Sequence, residues 1–303
     1  MIDKTASVQE VLKMKKLCAL FALTPLTALG FSMADTTGET SFSSDILEQI
    51  KAGSPMRLEY QIKARAWLFI VPITGKANFT AELGSETYSI KGAVKTTGLA
   101  DVLIDYDMQL SASGYVTPEG LDTYAYVSQN NDGKKNRRVD MKYLPQDFTM
   151  EAKPRFGNLG DPVATTEQVL AAKDPITALI SLALEPRPEG QDPCGGPVKI
   201  FDGRQLTHLH LSYHGTKEVQ SDAWKGQAYE CHIRMDKVAG YKKGEVNRDT
   251  LTGINGPLRI WLAPLPNGAT IPVRIEAKTD DIGTVKLQAA KLKFTSLNKV
   301  DKK

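Results

Sequence analysis

The stretch RLEYQIKA, residues 57–64, decides the fold class of this 303-residue chain. Apolar side chains, beginning with Leu58 and Tyr60, occupy every second position and alternate with charged or polar ones. Successive side chains of a β-strand point to opposite faces of a sheet, so this alternation predicts a strand with one buried face. Residues 77–83 repeat the pattern, and residues 124–128 repeat it with tyrosines at the first and third positions.

The second half of the chain carries more stretches of this kind. The candidate strands are residues 198–201, 206–213, 229–235, 258–263, 271–278 and 283–294. About a dozen strands with few helices between them predict a mainly β fold. We expect an antiparallel, strongly curved sheet, either barrel-like or a half-barrel, within a single domain spanning residues 55–298.

Three local signals refine this picture. Residues 131–133 read Asn-Asp-Gly, which is typical of a two-residue type I′ hairpin turn because Asp-Gly accepts positive φ. Within residues 283–294 the apolar side chains change from odd-numbered to even-numbered positions, which predicts a β-bulge near Ala290. Arg274 follows Pro272, and because proline cannot donate to a sheet ladder we expect this segment on an edge strand.

Residues 165–185 interrupt the strands and predict one or two short helices that cover the sheet. Thr165 with Gln168 three positions later forms the pattern of a capping box. Asp174 followed by Pro175 offers an N-cap and a first helical residue, and apolar residues then follow at helical spacing. Pro186 and Pro188 end the run.

Composition excludes several classes of protein. A hydrophobic content of 41% and a charged content of 24% are unlike disordered, collagen-like or coiled-coil chains. The net charge of +3 is too small to indicate a nucleic-acid partner.

The N-terminal segment predicts export. Lys13, Lys15 and Lys16 precede an apolar run of about 13 residues, shorter than the roughly 20 that a membrane-spanning helix needs. Small residues then precede Asp35, so residues 1–34 fit a cleavable signal peptide, with Met14 as an alternative start. We expect residues 35–54 to form a flexible lead-in, the mature chain to lack a transmembrane span, and the protein to reside in the periplasm.

Export changes the interpretation of the cysteines. Only Cys194 and Cys231 lie beyond the signal segment, and an oxidising compartment favours a disulfide between them. Two buried free thiols or a reactive pair are the alternatives, although no C-x-x-C motif supports redox catalysis.

The order of motifs in the second half resembles a bacterial periplasmic family of unknown function (DUF3108-like). The matching residues include Asp174, Pro175, Asp202, Gly203, Arg204, Cys231, Trp261, Pro272 and Arg274. The resemblance implies an exported β-rich protein of the Gram-negative cell envelope, and it brings no established reaction. From the residues themselves, Arg204 beside Asp202-Gly203 predicts a contact within a tight turn.

His208, His210 and His214 form an H-x-H-x-x-x-H pattern. The first two would share a face of a strand and are a weak candidate for metal binding, with His214, Asp202 or His232 as a third ligand. Because no ordered metal-site spacing supports this, we favour a solvent-facing histidine pair and expect no cofactor.

The apolar stretch at residues 66–73 would be a docking surface if exposed and a covered strand if buried, and we favour burial. Recognisable catalytic motifs are missing from the sequence, so we favour a non-enzymatic protein that binds an apolar or lipid-like ligand, or another envelope component, in the concavity of its sheet. The residues expected to line that concavity are Trp67, Phe69, Leu103, Tyr106, Leu179 and Trp261. The alternatives are a scaffolding protein that binds a partner protein and a hydrolase whose catalytic residues the sequence does not identify. A cleft that gathers Asp202, Arg204, His208 and His210 would favour the hydrolase.

Overall fold

The computed structural model describes residue 50 and residues 53–68, 71–97, 106–132, 136–188, 190–244, 254–279 and 283–297. All of them belong to one compact unit, Phe42–Lys303. The predicted signal peptide and most of the predicted lead-in lie outside the described residues, as do Phe69 and Leu103.

Thirteen described strands form a single antiparallel sheet, which confirms the predicted mainly β fold class. The strands are β1 Met56–Leu68, β2 Val71–Leu83, β3 Thr87–Thr97, β4 Asp107–Thr117, β5 Gly120–Asn130, β6 Arg138–Tyr143, β7 Phe148–Lys153, β8 Val198–Phe201, β9 Leu206–Gln220, β10 Lys225–Ala239, β11 Leu258–Pro264, β12 Thr270–Lys278 and β13 Thr284–Ser296. Their order is β7-β6-β5-β4-β3-β2-β1-β13-β12-β11-β10-β9-β8, so β7 and β8 are the end strands.

The alternating stretch at residues 57–64 lies in β1, at the centre of this sheet. Leu58, Tyr60 and Ile62 are buried there, while Arg57 and Lys63 are exposed, as the period-two pattern predicts. β1 pairs with β2 on one side and with β13 on the other. The β13 register skips one residue, and that residue is Ala290, so the predicted bulge is confirmed.

Two details at β5 differ from the sequence prediction. Tyr124 is the extra residue of a bulge opposite Ser113 and Gly114, so it is exposed whereas Tyr126 is buried. The hairpin to β6 exists, but a hydrogen bond from the Asn130 N–H to the Arg137 carbonyl closes it. The connection is therefore longer than the two-residue turn predicted from Asn-Asp-Gly.

The edge-strand prediction for Pro272 and Arg274 is wrong. Their strand β12 lies between β11 and β13. Pro272 is accommodated because the β11–β12 register shifts beside it, and because the β12–β13 ladder begins only at Arg274. A proline without an N–H is tolerated inside a sheet at such a bulge.

The predicted apolar stretch at residues 66–73 is not one strand. It is divided between the end of β1 and the start of β2, which pair as a hairpin. Ala66 is buried, whereas Trp67 and Pro72 are exposed, so the expected burial applies to only part of the stretch.

Both predicted helices are present: α1 Thr166–Leu170 and α2 Pro175–Leu184. Thr165 and Gln168 make the reciprocal capping-box hydrogen bonds at the start of α1. Asp174 caps α2 by accepting hydrogen bonds from the backbone N–H groups of Ile176 and Thr177. Seven of the ten residues of α2 are buried, which is typical of a helix enclosed within a core.

Helix α2 packs against strands from both halves of the sheet, namely β3, β4, β5, β8 and β12. One large hydrophobic cluster includes residues of α2 and of both halves. A second, smaller cluster contains Cys194, Cys231, Ile260 and Leu262. Because Trp261 belongs to the large cluster and its neighbours Ile260 and Leu262 to the small one, β11 is buried on both faces.

The two end strands meet through side chains. In the described part of the chain β7 and β8 are not hydrogen-bonded neighbours, but the Phe148 and Phe201 rings are in edge contact with centroids 6.0 Å apart. Lys173 adds a parallel bridge to Ile200 of β8. The sheet is therefore not closed by a ladder, and packing brings its two ends together.

Candidate functional site

The residues predicted to line a ligand site occupy different environments. Trp67 is 53% exposed near the end of β1, and Tyr106 is partly buried just before β4. Leu179 and Trp261 pack within the large hydrophobic cluster, where Trp261 is 5% exposed. A side chain so fully enclosed leaves little surface for a ligand.

A depression of about 580 Å³, here called the tyrosine pocket, lies where β4, β5 and the end of β6 meet the segment joining α1 to α2. This volume is within the range of small-molecule sites. Its lining residues are Tyr115, Leu121, Asp122, Thr123, Tyr124, Tyr143, Leu144, Pro145, Leu170, Ala171, Ala172 and Lys173.

Exposed aromatic side chains form part of this lining. Tyr115 is 52% exposed and Tyr124 is 41% exposed, and their rings make an edge contact with centroids 6.2 Å apart. The bulge in β5 places Tyr124 beside Tyr115 instead of on the buried face with Tyr126. Tyrosine offers a large apolar ring with a polar end, a combination that suits an amphipathic ligand.

A buried polar network adjoins the pocket through Thr123. The Thr123 hydroxyl donates to Asp174 Oδ2 at 2.8 Å, and Tyr88 Oη lies 3.2 Å from Thr123 Oγ1 and 3.0 Å from Thr177 Oγ1. Burial raises the pKa of Asp174, outweighing the hydrogen bonds from Thr177, Thr123 and Ile176 that favour its ionised form. Burial also raises the pKa of Tyr88, so its phenol stays protonated.

Tyr143 differs from Tyr88 of that network. Its hydroxyl is buried without a hydrogen-bond partner among the described residues, and burial raises its pKa. A buried polar group without a partner costs about 1–3 kcal/mol, and a ligand would recover this energy if neighbouring side chains moved to admit it to the hydroxyl. The tyrosine pocket can thus hold an apolar molecule that carries a polar group.

Sequence reasoning missed this pocket because its residues come from four separate segments. Tyr115, Tyr124 and Tyr143 share no motif, and Tyr124 follows the buried-strand alternation in the sequence. The one usable signal is Gly114, which stands opposite the bulge that turns Tyr124 outward.

The Asp202-Gly203-Arg204 motif, which contributes to the family resemblance, forms a turn that its own hydrogen bonds hold. Asp202 Oδ1 accepts hydrogen bonds from the N–H groups of Arg204 and Gln205, at 2.8 and 2.7 Å. These bonds form the predicted tight turn, here between β8 and β9. Gly203 has φ +100° and lies against Val139, so a side chain at this position would be both strained and obstructed. Burial raises the pKa of Asp202 despite these bonds.

Arg274 belongs to a charged cluster around Glu276. The Glu276 side chain, 7% exposed, pairs with Arg274, with Arg259 at 3.2 Å and with Lys286 at 3.4 Å. The guanidinium groups of Arg259 and Arg274 lie 5.5 and 5.0 Å, respectively, from the centre of the Trp261 ring, within cation–π range. This cluster explains the motif positions Trp261 and Arg274 as parts of one structural arrangement.

His208 and His210 lie on β9, both partly exposed. His210 Nε2 is 2.7 Å from Asp236 Oδ2, and burial lowers the pKa of His208, with Lys199 and His210 adding to the effect. His214 stacks on His232 instead of turning toward this pair. The described residues contain no group of three or more His, Cys, Asp or Glu side chains arranged to hold a metal ion.

The disulfide prediction is confirmed: Cys194 and Cys231 are bonded, with Cα atoms 5.9 Å apart. Among the described residues, we find no helix with the length and apolar character needed to cross a membrane.

Comparison with known proteins gives a family and several solved structures, two of which are described below. Residues 59–290 match the family model described as "Protein of unknown function (DUF3108)". No curated protein matches the chain. A Brucella abortus structure titled as a beta-barrel-like protein of domain of unknown function DUF1849 is 13% identical, covers 80% of this chain and 98% of its own, and has a TM-score of 0.41. A DUF1329 family protein from Desulfovibrio piger is 9% identical, covers 82% of this chain and 88% of its own, and has a TM-score of 0.19.

Proposed function

Because the chain belongs to the DUF3108 family, whose description names no activity, we propose a function from its geometry: it is an exported periplasmic protein that binds an apolar or lipid-like ligand in the tyrosine pocket. The single observation that carries the proposal is that the exposed side chains of Tyr115 and Tyr124 line one pocket of about 580 Å³ together with Tyr143. Such a site binds by enclosure and by one directional hydrogen bond.

This proposal keeps the expected ligand class and changes its location. The centre of the molecule is occupied by α2 and the large hydrophobic cluster, so the ligand binds beside the helix. The rings of Tyr115 and Tyr124 would cover its apolar part.

Native mass spectrometry of the full chain purified from the periplasm, followed by organic extraction, tests the binding. We expect a co-purifying lipid-like molecule that is lost in the variant Tyr115→Ser/Tyr124→Ser. Tyr213→Ser is the matched control, because Tyr213 is 44% exposed and makes an edge contact with Tyr229 away from the pocket lining. An empty wild-type protein, or a double variant that retains the molecule, would refute the proposal.

The periplasmic location rests on the N-terminal pattern and on the disulfide, since disulfides persist in oxidising compartments. Cell fractionation combined with N-terminal sequencing tests it. We expect a mature chain beginning near Asp35 in the periplasmic fraction. A cytosolic chain with reduced Cys194 and Cys231 would contradict this part of the proposal.

One observation favours a second candidate function, docking to a partner protein. Trp67 is 53% exposed, which is unusual for so large an apolar side chain. Crosslinking followed by pull-down, with wild type and Trp67→Ser compared, tests this candidate. A partner captured equally by both proteins would exclude Trp67 as its docking residue.

A further inference from the structure

A second depression, of about 390 Å³, lies next to the tyrosine pocket and shares Ala171 and Lys173 with it. It is here called the cationic groove. Helix α2, the disulfide-bonded loop and β8 supply its lining, which is Ala171, Lys173, Ala178, Ser181, Leu182, Glu185, Arg187, Gly196, Pro197, Val198 and Lys199.

Positive charge exceeds negative charge in this groove. Lys173 pairs with Glu185, its Nζ lying 2.5 Å from Oε1, and it also donates to Ser181 Oγ at 2.9 Å. That ion pair uses the one carboxylate of the lining. Arg187 and Lys199 are left without a paired carboxylate among the described residues.

Arg187 carries free hydrogen-bond donors. Its Nε and Nη2 atoms are buried and have no hydrogen-bond partner within the described part of the chain. The N–H groups of Nε and Nη2 leave the same edge of a guanidinium, where they match two oxygens of one oxyanion. Burial lowers the pKa of Arg187, while Glu185 and Asp192 oppose this change.

The guanidinium is held in place by the disulfide-bonded loop and by the neighbouring hairpin. It packs directly on the backbone of Gly195, which follows Cys194 and has φ +65°, so that a side chain there would collide with it. The Arg187 N–H donates to the Gly268 carbonyl at 3.0 Å. Asp192 does not neutralise Arg187 directly, because its carboxylate oxygens face the N–H groups of Cys194 and Tyr213.

We propose that the cationic groove binds a phosphoryl group through Arg187 and Lys199, carried either by a lipid headgroup or by a small phosphate ester. Because Nε and Nη2 are buried, the guanidinium must turn toward the groove for its paired edge to bind two phosphoryl oxygens, and Lys199 supplies a second positive charge. The lipid form rests on the proposed function, since the adjoining tyrosine pocket would then hold the acyl chain.

Calorimetric titration of the full chain tests the proposal with three probes: inorganic phosphate, a short-chain phosphatidic acid, and a diacylglycerol of the same chain length. We expect Arg187→Gln to weaken the binding of phosphate or phosphatidic acid about tenfold, and Lys199→Gln to weaken it about threefold. Diacylglycerol binding should be the same in both variants and in wild type. Lys217→Gln, which changes an exposed lysine outside the groove lining, is the control.

The outcomes separate the two sources of the phosphoryl group. If phosphatidic acid binds in an Arg187-dependent way and inorganic phosphate does not bind, the phosphoryl group belongs to a lipid headgroup. If inorganic phosphate binds in an Arg187-dependent way and phosphatidic acid binds no more tightly, it belongs to a small phosphate ester. Unchanged affinities for both probes in both variants would overturn the proposal, and if Arg187→Gln does not fold, Lys199→Gln decides. Failure of diacylglycerol to bind would count against an acyl chain in the tyrosine pocket and leave the phosphate measurement interpretable.

Discussion

At the scale of single residues, Asp174 connects the helix to the sheet. One carboxylate oxygen accepts the N–H groups of Ile176 and Thr177, and the other accepts the hydroxyl of Thr123 on β5. The N-cap role could be predicted from Asp174-Pro175, because both residues are local in sequence. The bond to Thr123 could not, because it depends on where α2 packs.

Replacing Asp174 with alanine should lower the free energy of unfolding by about 2–4 kcal/mol, since it removes a helix cap and leaves buried donors unpaired. Equilibrium denaturation by urea measures the change. Glu119→Ala, in an exposed turn, is the control and should have little effect. An Asp174→Ala variant as stable as wild type would show that water or rearrangement replaces the lost bonds.

Glu276 makes stability depend on pH. Burial alone would raise the pKa of Glu276, but the hydrogen bond from Arg274 and the charges of Arg274 and Lys286 hold this pKa below its usual value. The native state therefore binds the proton less tightly than the unfolded state. The stabilisation is present above the unfolded pKa of about 4.3 and is lost as pH falls through the native pKa.

Glu276→Gln should therefore destabilise the protein by about 1–3 kcal/mol at about pH 7, a moderate loss because the cations are partly exposed. The difference from wild type should shrink as the pH falls toward about 3. Denaturation curves at both pH values measure this difference, in which the contributions of other carboxyl groups largely cancel. A difference that is constant with pH would contradict the ion-pair explanation.

At the scale of elements, the sequence predicts what is local. The bulge at Ala290 can be predicted because the apolar side chains change from odd-numbered to even-numbered positions across it. The bulge at Tyr124 is hidden, because tyrosines stand at both 124 and 126 and only the partner strand decides which one is buried. The edge-strand prediction from Pro272 failed because an edge strand and a bulge both remove the need for a backbone N–H. The sequence alone does not distinguish between these two arrangements.

The Cys194–Cys231 disulfide closes a long connection, with a sequence separation of 37 residues, and fixes the loop that carries Gly195. Breaking it should lower the free energy of unfolding by about 2–4 kcal/mol, chiefly by freeing the unfolded chain. Thermal unfolding with and without reductant measures this effect. The variant Cys194→Ser/Cys231→Ser is the control and should not respond to reductant, whereas a wild-type Tm that ignores reductant would contradict the prediction.

At the scale of the whole molecule, the sheet depends on packing between its end strands. Phe201 is buried and contacts Phe148 across the gap between β8 and β7. Phe201→Ala should cost about 3–5 kcal/mol, the usual range for a buried phenylalanine. Hydrogen exchange should also accelerate most in β7 and β8.

Leu159→Ala, at a residue that is 40% exposed, is the control for Phe201→Ala. Exchange that rises uniformly over all strands would show that Phe201 supports the fold generally and has no special role in joining the sheet ends. Mass spectrometry of peptides from β7 and β8 distinguishes the two results.

The fold class could be predicted from the sequence, whereas the tyrosine pocket could not. Alternation such as that of residues 57–64 indicates which face of each strand is buried, and this is enough to predict an antiparallel sheet. The pocket depends on Tyr115, Tyr143 and Lys173 meeting, and nothing local to any of these residues specifies the others. Long-range strand order and helix packing are needed to bring them together.

The pairing of β1 with β13 also constrains the order of assembly. Met56 is opposite Ser296, so the ladder at the centre of the sheet joins segments from opposite ends of the described chain. During synthesis β1 can pair with β2 early, but its other edge must wait until β13 has been made. Such high contact order is typical of slow folding. The half formed by β1–β7 would therefore form first, with an unpaired edge at β1 that is prone to aggregation until β13 is made.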